Sequence, residues 1–254
     1  MNFKYFGFSD TGLNRDRNED TYLCNEDQRL FLVADGMGGH ASGETASRLA
    51  VNSIEEFIVQ SRTKTIKWPT KCRSDLSPEQ NRLLNATIYG NQVIRDLGAK
   101  NPSMNGMGTT LVGAIIEEDH LAIVNVGDSR IYQIRNAIIR QITDDHTLAE
   151  EQEKAGIITK RQAEIHPYRH VLTVALGHID NISKIDISNM KIKQKDLYLI
   201  CSDGLYNMLD NKEILATIKS NRNGVLDKIG LSLLQKANAA GGLDNITAIL
   251  LAFF

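Results

Sequence analysis

Six carboxylates stand where strands end or turns begin: Glu19, Asp20, Asp35, Asp128, Asp203 and Asp244. Three of them share one device. The apolar run at 30–34 ends in Asp35-Gly36-Met37-Gly38-Gly39-His40, the run at 197–201 ends in Ser202-Asp203-Gly204, and Asp244-Asn245 heads the run at 246–251. Such an Asp is held by a rigid strand, while an adjoining glycine lets backbone approach a ligand closely. Strand-end Asp residues also serve as plain turn formers, so the weight lies in the repetition. Gathered in one place, these groups would raise one another's pKa and cost stability unless cations neutralised them. Oxygen-only donors select the hard ions Mg²⁺ or Mn²⁺, with a backbone carbonyl and waters completing the shell. No His/Cys set has zinc spacing. Two such ions about 3.5–4 Å apart hydrolyse phosphoesters, a bridging water losing its proton and attacking phosphorus. Arg15 or Arg17 is placed in sequence to fork onto the phosphate.

Elements must bring these residues together. Phe3 to Ser9 alternates as a strand, Asp10-Thr11-Gly12 turns, and the charged segment 14–20 leads to a strand at Tyr22 to Cys24 that pairs with Leu30 to Ala34. A helix opening at Ser42 has apolar residues at Ala46, Leu49, Ala50, Ile54, Phe57 and Ile58, the spacing of a buried face. Residues 61–77 read as a polar loop anchored by one aromatic, Trp68. Ser77-Pro78 starts a second helix, to about Leu97. Four strands follow, at Met107 to Ile116, His120 to Val126, Ile131 to Ile134 and Ile138 to Ile142, and their short links imply an antiparallel meander. The polar stretch from Thr143 to Tyr168 reads as helical, mobile and exposed, and about 25 residues between strands is long enough to cover a site. Strands at 184–190 and 197–201, helices at 211–219 and 224–239, and a C-terminal strand complete the chain. Neither repeat nor linker is visible, so one domain spans 1–254.

The totals agree. With 254 residues, 42% hydrophobic and a formal net charge of -2, the chain fits one large α/β or α+β domain, or two small ones, and offers nucleic acid no electrostatic attraction. The start lacks a signal-peptide core, and no apolar run approaches the roughly 18 residues of a membrane helix. A soluble, cytoplasmic protein is expected. The three cysteines, Cys24, Cys72 and Cys201, suggest no disulfide framework. A cysteine-dependent phosphatase needs Arg six residues after its nucleophile, and those positions hold Leu30, Pro78 and Asn207.

Taken together, the segments Arg15-x-x-x-Glu19-Asp20, Asp35-Gly36-Met37-Gly38-Gly39-His40, Gly108-Thr109-Thr110, Gly127-Asp128-Ser129-Arg130, Ser202-Asp203-Gly204 and Asp244-Asn245 resemble, in order, the motifs of the metal-dependent Ser/Thr protein phosphatases of type 2C, in their compact bacterial form. The resemblance covers essentially the whole chain except 61–77. It implies an α+β fold: a four-layer α-β-β-α sandwich of two antiparallel sheets flanked by helices, with a flap at about 146–170. It implies Asp35 bridging two Mn²⁺ or Mg²⁺ ions, the Gly36 carbonyl on the second, and Asp203 and Asp244 on the first. Asp128 with Asp203 would form a weaker third site. Glu19 and Asp20 would act through water and hydrogen bonds, and Asn245 would orient a ligand. Arg15 would bind the substrate phosphate, with Arg17 more exposed to solvent, and His40 is the candidate general acid.

The expected activity is one-step hydrolysis of phosphoserine and phosphothreonine in proteins without a phosphoenzyme, by a monomer. Expected partners are Ser/Thr-phosphorylated proteins, including a cognate kinase or its substrates. A silent regulatory module of the same fold is expected to have lost ligand positions, and here all are filled. A small-molecule phosphoesterase would use the same ions and differ in surface shape and flap.

Overall fold

Both faces of the central strands are covered, which is why their sequences read as unbroken apolar runs. The computed structural model describes residues 1–38, 42–64, 66–221 and 225–254. In chain order the elements are β1 (Phe3–Asp10), β2 (Asp20–Asn25), β3 (Leu30–Met37), α1 (Ser42–Thr63), α2 (Pro78–Lys100), β4 (Gly108–Thr109), β5 (Leu111–Glu117), β6 (His120–Val126), β7 (Arg130–Arg135) and β8 (Ile138–Gln141). They continue with α3 (Leu148–Lys154), α4 (Lys160–Glu164), β9 (Asp186–Lys191), β10 (Leu197–Cys201), α5 (Asp203–Tyr206), α6 (Asn211–Ser220), α7 (Leu226–Ala239) and β11 (Ile246–Phe253).

One sheet has the order β1-β11-β10-β7-β8 and the other β2-β3-β5-β6-β9, with β4 added on β3. Every pairing is antiparallel. The period of two along each strand assigns the layers. Leu30, Leu32 and Ala34 of β3 pack with α1 and α2, whereas Phe31 and Val33 join Ile200 and Ile249 between the sheets. Likewise Leu199 and Cys201 of β10 pack with Ile214 and Leu233 of α6 and α7, while Tyr198 turns to the middle. The result is the expected four-layer α-β-β-α sandwich. Each fully buried aliphatic side chain contributes about 1.5–3 kcal/mol, so three such layers fix the strand ends from which the acidic loops spring. Among the described residues no helix is long and apolar enough to cross a membrane.

The meander is corrected. β5–β6 and β7–β8 are hairpins, but 127–129 carries the chain from one sheet to the other. A short link implies a neighbour only if it cannot span sheets, and three extended residues reach the ~10 Å between stacked sheets. Gly127 makes the crossing at φ +99°, with Thr110 where a Cβ would lie. The strand at 107–116 is interrupted at Thr110: its N–H still donates in register to the Asp35 carbonyl at 2.8 Å, but Asp35 N returns the bond to the Thr110 side-chain Oγ1 at 3.0 Å. The stretch from 143 to 168 is two short helices, N-capped by Thr147 and Thr159 and separated by Gly156 at φ +71°. The segment 66–77 has more anchors than Trp68, which meets Phe57 edge-on at 5.8 Å. Asn85 Oδ1 accepts from Thr70 N at 2.7 Å, and Asn81 Oδ1 accepts from Arg73 N at 2.7 Å. The capping box at Ser77 and Gln80 forms as the sequence indicates.

Candidate active site

The acidic residues meet at one edge of the sandwich. The β2–β3 register sets Asp20 directly across from Asp35. Asp203 opens α5 after β10, Asp244 precedes β11, and Asp128 lies in the crossing between sheets. Arg15, Glu19, Asp35, Gly36, Asp128, Asp203, Asp244 and Asn245 line one cavity of about 570 Å³, together with Thr110, His170 and Leu172. Asp20 sits behind this wall, its Oδ2 accepting from Ser202 Oγ at 2.8 Å. Arg17 is exposed and contributes its carbonyl, not its guanidinium, to the local network. His40 lies outside the described residues.

Close backbone packing holds the wall in place. A Cβ on Gly36 would lie 2.1 Å from the Gly43 carbonyl oxygen, so β3 and the start of α1 touch backbone to backbone. Gly36→Ala should therefore destabilise by about 3 kcal/mol, the upper range for overpacking, read as a lower urea midpoint with unchanged slope. Asn245 saturates three backbone groups: its Oδ1 accepts from Glu19 N at 2.7 Å and its Nδ2 donates to the Thr11 and Arg17 carbonyls at 2.9 Å each. That side chain fixes the loop carrying Arg15 and Glu19 to the head of β11. Arg15 Nη2 donates to Asp244 Oδ2 at 2.8 Å, a pairing that sequence reasoning did not anticipate.

Several supporting groups were also missed. Thr110 Oγ1 accepts from Asp35 N at 3.0 Å and lies 2.8 Å from Ser129 Oγ. The Tyr206 hydroxyl donates to the Asp128 carbonyl at 2.9 Å, with the Arg130 guanidinium stacked 3.6 Å from its ring centre. Arg130 in turn forks onto Asp145. Thr110 and Ser129 stand inside the motifs and gave that much signal. Tyr206 and Leu172 gave none, because only folding brings them near, whereas His170 was legible only as the end of the expected flap.

The electrostatics of the pocket oppose its own charge. Burial first, then Asp20, Asp203, Asp128 and Asp244, holds Asp35 well above the usual carboxylate range. Burial and Asp203 push Asp128 up to about 8, and burial and Asp244 push Asp203 up to about 6, a hydrogen bond with Asp35 offsetting part of the second. Asp20 is raised to about 7 by burial, against hydrogen bonds from Thr247 and Ser202. Two carboxylate oxygens, Asp20 Oδ1 and Asp203 Oδ1, are buried with no hydrogen-bond partner among the described residues. These features fit hard divalent cations: oxygen donors, excess buried negative charge and unsatisfied lone pairs. Among the described residues no group of three or more His, Cys, Asp or Glu side chains is by itself arranged to hold a metal ion. A backbone carbonyl and waters would have to complete the shell, as Mg²⁺-type ions prefer.

Residues 13–236 match the family model described as Protein phosphatase 2C. The chain is 36% identical over 246 residues to the serine/threonine phosphatase stp of Listeria monocytogenes, covering 95% of this chain and 92% of the relative. The serine/threonine phosphatase of S. agalactiae superposes with a TM-score of 0.86 at 31% identity, over 100% of both chains. The catalytic domain of the serine/threonine protein phosphatase PstP, solved in complex with 2 manganese ions, superposes with a TM-score of 0.80 at 30% identity, over 98% of this chain and 97% of that one. A match along most of the chain, joined to the sandwich and its acidic edge, establishes that the protein belongs to the protein phosphatase 2C family.

Proposed function

We propose that the acidic cavity is a binuclear metal site in which Asp35, the Gly36 carbonyl, Asp203 and Asp244 hold two Mn²⁺ or Mg²⁺ ions, and that Asp128 with Asp203 holds a weaker third. The chain is a metal-dependent protein serine/threonine phosphatase. One observation carries the assignment of the site: carboxylates from β3, the crossing at 127–129, α5 and the head of β11 converge on a single cavity beside a half-exposed arginine. When bound, the ions supply Lewis acidity that makes water nucleophilic near neutral pH and offsets charge developing on phosphorus.

The protein's own residues do the rest. Arg15 spends one of its five N–H donors on Asp244, leaving others to fork onto the phosphate. Asn245 keeps that arginine in register by tying its loop to β11. Glu19 and Asp20 act through water and hydrogen bonds, and His40 gives its proton to the leaving alkoxide. Residues 146–170 act as a flap within a single domain spanning 1–254. The substrates are phosphoproteins, including a cognate Ser/Thr kinase or its targets, and the enzyme works as a cytoplasmic monomer without nucleic acid or membrane.

The test is hydrolysis of paired phosphothreonine and phosphotyrosine peptides with and without Mn²⁺. Turnover of the phosphothreonine peptide that requires the ion is expected; equal turnover in chelator would overturn the reading. Arg15→Ala should raise KM by roughly 10- to 100-fold, the worth of a charge-assisted hydrogen bond. An unchanged KM would remove Arg15 from the phosphate site. Asp128→Ala should lower the rate and abolish the weakest step in an Mn²⁺ titration, leaving the two tighter ones.

A further inference from the structure

We propose that Tyr206 is a positioning residue for the weaker third ion, setting Asp128 against Asp203 through the carbonyl that its hydroxyl holds. The proposal rests on the metal-site reading above and gives a task to a side chain outside the phosphatase motifs. Asp128 and Asp203 come from different parts of the fold: one lies in the crossing at 127–129, and the other opens α5 after β10. Tyr206 ends the single turn of α5 that Asp203 begins, and its Oη donates to the Asp128 carbonyl at 2.9 Å. One side chain thus joins the helix carrying one carboxylate to the backbone carrying the other.

The crossing has further braces, but they lead elsewhere. The Gly127 carbonyl accepts from His146 N at 2.9 Å, and Gly127 N donates to His146 Nδ1 at 3.2 Å, which ties this residue to the root of the flap. Ser129 Oγ lies 2.8 Å from Thr110 Oγ1, which accepts from Asp35 N at 3.0 Å, so this brace leads to β3. Neither fixes Asp128 relative to α5. Asp203 is set against Asp244 by backbone instead: a Cβ on Gly204 would lie 2.0 Å from the Asn245 carbonyl oxygen. The placement of Asp203 beside Asp244 therefore does not depend on Tyr206. Loss of the hydroxyl should disturb Asp128 and Asp203 as a pair and spare the residues given to the two tighter ions.

Tyr206 is itself held. The Arg130 guanidinium lies 3.6 Å from its ring centre, and each guanidinium nitrogen is engaged: Nε and Nη2 donate to Asp145 at 2.9 and 2.6 Å, and Nη1 donates to the Tyr132 hydroxyl at 2.9 Å. Asp145 accepts again from Gln141 Nε2 at 2.9 Å. Cation–π contact with a guanidinium so fixed confines the ring, and a confined ring delivers its hydroxyl to one place. Partners beyond the direct ligands tune metal affinity by about 10- to 100-fold. Tyr206 acts on the backbone of Asp128 and not on its carboxylate, so the lower end of that range applies.

The experiment titrates the native protein and Tyr206→Phe with Mn²⁺ at neutral pH, counting free ion by its electron paramagnetic resonance. Phenylalanine keeps the ring against Arg130 and removes only the donor. Three steps are expected in the native protein. In Tyr206→Phe the weakest should move to a Kd about 10-fold higher, while the two tighter steps stay in place and report that the variant is folded. An unmoved weakest step would overturn the role of Tyr206 and leave the metal site standing. A shift of all three together would also overturn it, because the tyrosine would then support the pocket as a whole. Two steps in the native protein would overturn the third ion and the positioning role with it, while Mn²⁺-dependent hydrolysis of an aryl phosphate left the two-ion reading standing.

Discussion

Asp203→Asn should lower turnover by roughly three orders of magnitude or more, comparable to the loss of a principal source of transition-state stabilisation, while the protein stays folded. Asp203 is half-buried, its Oδ1 has no hydrogen-bond partner among the described residues, and it is raised to about 6 by burial and by Asp244, so near neutral pH its charge is carried at a cost. The amide is nearly the same shape, and its oxygen can still accept from Asn207 Nδ2, now 3.0 Å from Asp203 Oδ2. Without metal the variant should therefore melt at or above the parent temperature at pH 8. With Mg²⁺ the order should reverse, because only the parent gains ligand-binding energy. That crossing separates a metal ligand from a residue that merely packs. Retained activity, or an equal rise in melting temperature with Mg²⁺, would sink the role given to Asp203.

Removing metal should do more than stop turnover; it should invert how stability depends on pH. Asp128 and Asp203 are raised to about 8 and about 6 from an ordinary 3.8. Between those values the folded chain holds more protons than the unfolded one, so stability falls as pH rises from about 4 to about 8. Cations that bind the ionised carboxylates reverse the trend, since the charges that repel one another become ligands. At a free concentration of about 100 Kd the ion adds about 2.7 kcal/mol, roughly 5–10 °C in melting temperature for a chain of this size. Melting curves from pH 5.5 to 8.5, in chelator and in excess Mg²⁺, should diverge as pH rises. Parallel curves would mean that these carboxylates do not face the ion.

Much of this was legible before folding was considered. The apolar runs at 30–34 and 197–201 each became a strand buried on both faces, β3 extending on to Met37, because their side chains alternate between a helix layer and the inter-sheet layer. Ser77-Pro78 started α2 because capping is local chemistry. The link at 127–129 was misread for the opposite reason: three residues suit a hairpin and a sheet-to-sheet crossing equally well, and the choice belongs to the partners of β6 and β7. The long polar stretch after 143 read as helical, and it is; only the structure shows it divided into α3 and α4, with Gly156 between them in a left-handed backbone.

The residue types and their glycine neighbours determined that oxygen donors stand at strand ends, and with them the chemistry such donors can support. Tertiary structure alone decided that Asp20 stands opposite Asp35, that Arg15 rests on Asp244, and that Tyr206 holds the Asp128 carbonyl. Ligand type is a property of single side chains. Proximity between residues as far apart as Arg15 and Asp244 is a property of how two sheets stack, and no local pattern encodes it.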